Sequence, residues 1–189
     1  MSSDKQKNIV IAITGASGSI YAKSLLEHLQ KLENTHNLKL SIIFSKTGID
    51  VANHELGKDF IKNIPINKYD INDYYAPFAS GSSVSDAMVV IPCSMGTLGR
   101  IAHGTSDNLI CRTADVILKE RKQLILVTRE TPLNLIHIKN MELITLAGGI
   151  ILPASPSFYL KPQSIQELTN SVVYRILDLL GIKLNVKRW

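Results

Sequence analysis

Apolar and polar positions along this chain follow two periods in turn, and the exchange between them repeats. Ile9–Ile13 is a short, mostly β-branched run of the kind that a strand buried on both faces requires. Behind it Ile20, Leu25, Leu26, Leu29 and Leu32 recur at helical spacing and predict a helix over Ser19–Lys31. The pattern then predicts a strand over Leu38–Phe44 and a helix reaching about Glu55. After these come a strand over Ala87–Ile91 and a loop, Pro92–Thr97, that opens a helix. It continues with a helix over Asp107–Lys119, a strand over Gln123–Val127, a helix over Asn134–Ala147 and a strand over Gly149–Leu152. Residues 57–85 break the rhythm and read as a surface excursion with room for one short strand. Ser164 and Glu167 have capping-box spacing and open a last helix, which Gly181 closes. Strands alternating with helices predict an α/β fold, a doubly wound, Rossmann-like (flavodoxin-like) three-layer sandwich with a mainly parallel sheet. No linker or repeat divides the 189 residues. The expectation is a single domain over 1–189, with a flexible start at 1–7 and a tail at 182–189.

Such sheets take ligands at the carboxyl ends of their strands, and the unusual residues of this chain gather there. Thr14-Gly15-Ala16-Ser17-Gly18 joins the first strand to its helix. Its glycines permit close approach, Ser17 adds a hydroxyl, and backbone N–H groups at a helix start suit phosphate. The spacing is not G-x-G-x-x-G, so a plain strand-to-helix turn stays open as the alternative. The second strand ends in Ser45-Lys46, where a dinucleotide fold sets an acid for the ribose. None of the six tyrosines has a lysine four residues on, the pair that short-chain dehydrogenases use. Both facts argue against a nicotinamide cofactor.

Ser94, Met95, Gly96 and Thr97 repeat the physics of the first loop, or simply cap a helix. Arg129 and Glu130 follow a strand directly. An arginine there can hold a phosphate or a flavin oxygen and the glutamate can trade protons; a surface ion pair is the plainer reading. Phe158 and Tyr159, in a proline-stiffened loop, form either an aromatic wall or ordinary packing. Arg175 falls at the edge of the last helix's apolar arc, where it either meets an anion or snorkels to water. Arg112, Asp115 and Lys119 form a stripe on another helix, by default a solvated ion-paired face.

Composition removes several classes. The net charge of +5 comes from scattered lysines with no basic run interleaved with aromatics, which disfavours nucleic acid and suits small anions. No run reaches the ~18 apolar residues of a membrane span. Cys93 and Cys111 are the only cysteines, which points to a reducing, cytoplasmic setting, and Cys93 reads as a small buried residue rather than a nucleophile. The five histidines have no metal-ligand spacing, so no metal is expected.

Four segments in order complete the picture: Ala79-Ser80-Gly81-Ser82, Pro92–Leu98, Arg129–Leu133, and Pro153–Tyr159 running into Pro162-Gln163-Ser164. With the opening loop they resemble the flavin prenyltransferases of the UbiX/Pad type over nearly the whole chain. The resemblance implies that reduced FMN and dimethylallyl phosphate are substrates, that no metal takes part, and that prenylated FMN is made for a UbiD-type decarboxylase. It implies FMN contacts at Gly15, Ala16, Ser17, Ser45, Ser94, Met95, Gly96, Thr97 and Arg129. It implies prenyl-phosphate contacts at Tyr159, Arg175, Lys119, Arg112 and the terminal Trp189, with catalytic roles for Glu130, Glu55 and Tyr159. It also implies a homo-oligomer, a dodecamer with sites between subunits, which gives the Arg112–Lys119 stripe a purpose. Two rivals remain. A flavin-dependent cysteine decarboxylase would carry Pro-Ala-Ser-Ala-Asn-Thr where this chain has Pro92-Cys93-Ser94-Met95-Gly96-Thr97. A flavin-binding module without turnover would have no use for Glu130, Tyr159 and Arg175 together.

Overall fold

The computed structural model describes residues 6–82 and 85–186. In chain order its elements are β1 (Lys7–Ile13), α1 (Ser19–Leu32), β2 (Leu38–Phe44), α2 (Lys46–Leu56), α3 (Asp59–Lys62), β3 (Asn67–Tyr69) and β4 (Ala87–Cys93). They continue with α4 (Met95–Ala102), α5 (Leu109–Lys119), β5 (Gln123–Thr128), α6 (Leu135–Leu146), β6 (Ile150–Ile151) and α7 (Ile165–Leu179). All strand pairings are parallel, in the order β3-β2-β1-β4-β5-β6. That is the Rossmann order; without the three-residue edge strand β3 it becomes the flavodoxin order.

Because side chains alternate along a strand, each strand feeds two cores. Ile9, Ile11 and Ile13 of β1 join Val89 and Ile91 of β4 under α1 and α7. Val10 and Ala12 join Met88 and Val90 on the opposite face, under α4 and α5. The excursion after β3 is less superficial than its composition suggests. Ala76, Phe78 and Ala79 are buried in the second core, and the Phe78 ring meets Tyr69 edge-on with centroids 4.8 Å apart. This segment takes the place of a crossover helix between β3 and β4.

Several boundaries differ from the sequence reading. Lys7 already pairs with Leu38, and its Nζ donates to the Leu180 carbonyl, so the strand begins inside the stretch expected to be loose. Ile182, expected in the tail, is buried, and its N–H bonds to Leu177 O at 2.8 Å. Pro92 and Cys93 extend β4 beyond Ile91, with a register irregularity between Val90 and Cys93. The Ser164 box closes on one side only: Ser164 Oγ accepts from Glu167 N, while Glu167 Oε2 accepts from Gln163 N at 2.7 Å instead of from Ser164. A reciprocal box stands instead at α6, between Asn134 and His137.

Candidate functional site

The switch point of the sheet lies between β1 and β4, whose following helices leave to opposite faces. Thr14 stitches the two strand ends together. Its buried hydroxyl donates to Pro92 O at 2.7 Å and accepts from Ser94 N at 2.9 Å. Neighbouring strand ends are joined in the same way, Ser45 N to Ile13 O, Arg129 N to Cys93 O, and Ala154 N to Thr128 O. The five strand-end loops singled out in the sequence therefore stand side by side along one edge.

Within the opening loop Gly18 has φ 111°, a left-handed value that suits glycine. Its N–H groups are not simply left for a ligand. The Glu55 carboxylate, carried in from the last turn of α2, accepts from Gly18 N at 3.1 Å and from Ser19 N at 2.7 Å. It thereby acts as the anion at the start of α1, a helix with no side-chain cap of its own. Partial burial would raise the Glu55 pKa, but hydrogen bonds from the Ser17 hydroxyl and the Ser19 and Gly18 amides outweigh it and hold the carboxyl below its usual range. Part of the phosphate seat read from the sequence is thus filled by the protein's own carboxylate. Thr47, at the start of α2, packs so closely against Gly15 that a Cβ there would overlap its side chain.

The loop after β4 both caps and presents. Ser94 Oγ accepts from Thr97 N and donates to Thr97 Oγ1 at 3.1 Å. A side chain at Gly96 would meet only Arg100 Nη1, at 3.5 Å, so the first turn of α4 is open. Across the crevice, Arg129 is exposed and pairs with no carboxylate among the described residues. It does not pair with Glu130, whose Oε1 accepts from Thr131 N at 3.0 Å. The Arg129 charge instead faces Tyr21 on α1: burial raises the phenol's pKa and the guanidinium pulls it back. Arg129 and Glu130 border a cleft of 340 Å³ with Thr128, Leu133, Met141 and Ser155. Tyr159, in the loop after β6, and Arg175, in the C-terminal half of α7, are both exposed.

Arg112 and Lys119 do not join this group. Lys119 leads into the amino end of β5 and Arg129 follows its carboxyl end, about 20 Å away at the rise of a strand. Arg112 donates to Ala79 O at 2.9 Å and pairs with Asp115, while Lys119 pairs with Glu120 rather than with the stripe. The Ser80–Ser82 turn lies on that pair, since a Cβ on Gly81 would meet Glu120 Oε1 at 2.8 Å. Trp189 lies outside the described residues. Cys93 is wholly buried and its thiol pKa is pushed far up, which leaves it inert. Among the described residues no group of His, Cys, Asp and Glu is placed to hold a metal, and no helix is long and apolar enough to cross a membrane. The sequence reading named Thr14 in its opening loop without giving it a role and passed over Tyr21 and Thr47, because what these residues do depends on contacts between strand ends.

The Flavoprotein family matches residues 1–177. A flavin prenyltransferase UbiX of Methanocaldococcus jannaschii is 45% identical over 184 residues, covering 96% of this chain and 97% of its own. This chain belongs to the flavin prenyltransferase family. Solved relatives agree with that family fold. AnUbiX (PadA1), in complex with FMN and dimethylallyl pyrophosphate, superposes with a TM-score of 0.88 at 40% identity, covering 98% of this chain and all of that one. A dodecameric FMN-dependent UbiX-like protein of Escherichia coli O157:H7 superposes at 0.89 and 34% identity, covering 96% and 98%.

Proposed function

We propose that this chain joins the dimethylallyl group of dimethylallyl phosphate to N5 and C6 of reduced FMN, releasing phosphate and yielding prenylated FMN for a UbiD-type decarboxylase. The observation that carries the reading is Arg129, a cation with no carboxylate partner among the described residues, at the strand-end crevice beside two loops of hydroxyl and amide groups. These donors fit FMN: Ser45, the open first turn of α4 (Met95, Gly96, Thr97) and Arg129 offer hydrogen bonds, while Gly15 and Ala16 form a wall without bulk. Reduced flavin supplies nucleophilic N5 and C6 when bound. What the chain's own residues contribute is charge and placement.

The leaving phosphate needs cations, and a monophosphate can be held by arginine and lysine without a metal. Arg175 and Tyr159 serve one side of it. Lys119, next to the amino end of β5 and a strand's length from Arg129, reaches such a site only from another copy, and Arg112 lies two turns back along the same helix. That requirement supports a homo-oligomer, and the dodecameric relative supports the same stoichiometry here. Aromatic rings stabilise positive charge developing on an allyl group, the role that the family resemblance gives Tyr159 and Trp189. Closing the second bond adds a proton to the prenyl double bond and removes one from C6, and Glu130 takes the proton from C6. Glu55, held ionised by its donors, accepts from the Ser17 hydroxyl and so orients it, and its lowered pKa leaves it no proton to give at neutral pH. Two free cysteines and a reduced substrate suit a cytoplasmic setting.

The test is anaerobic incubation with reduced FMN and dimethylallyl phosphate, followed by mass spectrometry of the flavin. A flavin heavier by one isoprene unit supports the reading; an unchanged flavin overturns it. Arg175→Ala should raise KM for the prenyl phosphate more than it alters flavin binding.

A further inference from the structure

Tyr21 is the third residue of α1, and its ring lies against the opening loop. A Cβ on Gly18 would meet the ring's Cδ2 at 3.1 Å and its Cε2 at 3.3 Å. Gly18 thus serves twice, once for its left-handed φ and once for the room it leaves the ring. The ring is half-buried and packs against the first core. Its hydroxyl has no hydrogen-bond partner among the described residues, and neither has the Arg129 guanidinium. β4 stands between β1 and β5, so at one strand spacing per neighbour the ends of β1 and β5 are about 10 Å apart. Tyr21 and Arg129 follow those two ends and are long enough to approach each other over the end of β4. The Arg129 charge is accordingly felt at the phenol.

A guanidinium only donates, and a phenol donates as long as it keeps its proton. Burial outweighs the neighbouring cation in setting the Tyr21 pKa, so the hydroxyl stays protonated at neutral pH. Two donors that converge call for one acceptor, and beside a guanidinium an anionic oxygen suits best. Glu55 does not serve, because its carboxylate is engaged by Ser17, Gly18 and Ser19. We propose that Tyr21 is a flavin-binding residue whose hydroxyl donates, together with Arg129, to one anionic oxygen of FMN. The contact rests on the flavin reading above and adds a residue to it. Two parts of FMN carry such an oxygen: the phosphate, and the ring of the reduced flavin once it is anionic.

The experiment is calorimetric titration of wild type and Tyr21→Phe with FMN and with riboflavin, each oxidised and, under anaerobic conditions, reduced. Phenylalanine keeps the ring on Gly18, so the Tm of the unliganded protein should hold. The Kd for reduced FMN should rise about ten- to a hundredfold, the loss of one hydrogen bond to a charged group. A loss shared by oxidised and reduced FMN but absent with riboflavin assigns the oxygen to the phosphate. A loss confined to the reduced forms, riboflavin included, assigns it to the ring. Because one oxygen takes both donors, Tyr21→Phe should cost far less in a chain that already carries Arg129→Ala. Effects that simply multiply in the double variant overturn the shared contact. An equal loss in every arm, oxidised riboflavin included, reports a disturbed loop and also overturns it. An unchanged Kd in every arm, while Arg129→Ala still weakens FMN, overturns the role of Tyr21 alone. A wild type that binds no flavin overturns the flavin reading itself.

Discussion

Replacing Glu55 by glutamine keeps the shape of the side chain and removes its charge from the start of α1. The carboxylate accepts from Gly18 N and Ser19 N, and Ser17 adds a third donor. A negative charge at a helix start contributes about 0.3–1 kcal/mol. A charge-assisted hydrogen bond adds a comparable amount over a neutral one, discounted here because Glu55 is exposed. The expected loss is about 1 kcal/mol, which lowers Tm by roughly 2–4 °C in a chain of this size. The pH dependence has a definite sign. A depressed folded-state pKa gives stability that is present above the unfolded value of about 4.3 and is lost as pH falls through the folded value. The gap between wild type and Glu55→Gln should therefore be flat near neutrality and close below about pH 4.5. Thermal unfolding of both proteins at one protein concentration across that range measures it. A neutral-pH gap below about 0.3 kcal/mol, or one that persists undiminished in acid, refutes the capping argument.

Gly48→Ala should destabilise by about 1–3 kcal/mol in denaturant titration although alanine favours helix, because its Cβ would run into the Ile13 carbonyl, which is backbone and already accepts from Ser45 N. Unchanged or raised stability would contradict that contact. Thr14→Val leaves Pro92 O its bond from Thr14 N at 3.3 Å but strips Ser94 N of its acceptor, at a cost of about 1–3 kcal/mol. Equal urea midpoints would show that the switch point holds without Thr14. Arg129→Ala should raise the Kd for FMN about ten- to a hundredfold in calorimetric titration, with Tm shifting little since no described carboxylate depends on it. Undiminished FMN affinity would move the flavin away from this edge.

Much of this fold follows from local rules. The β-branched runs ending in small residues, and the helical periods behind them, fixed the alternation and hence the parallel sheet and its ligand edge. Loops that lay far apart in sequence were recognisable as site elements because each one ends a strand. Caps were less legible: the Ser164 spacing promised a reciprocal box, but Glu167 turned to Gln163, and a histidine completed the box at α6 that spacing did not announce. The excursion after β3 was misleading for a related reason. Its polar composition hides Ala76, Phe78 and Ala79, whose burial depends on the second core meeting them.

By itself the sequence determined which chemistry is available: two hydroxyl-bearing loops, Arg129 and Glu130, an aromatic loop and cationic helices. Which of these share a site was decided only by tertiary structure. Glu55 comes 37 residues after the Gly18 amide it caps, so its claim on the phosphate seat is a contact between two helices and has no local signature. Lys119 looks equivalent to Arg129 in sequence, yet the length of a strand separates the two. Periodicity also marked α6 as a helix without showing which side faces in, because a helix apolar nearly all round takes its orientation from its neighbours. Local pattern sets what each element is; the order of the strands sets what it can touch.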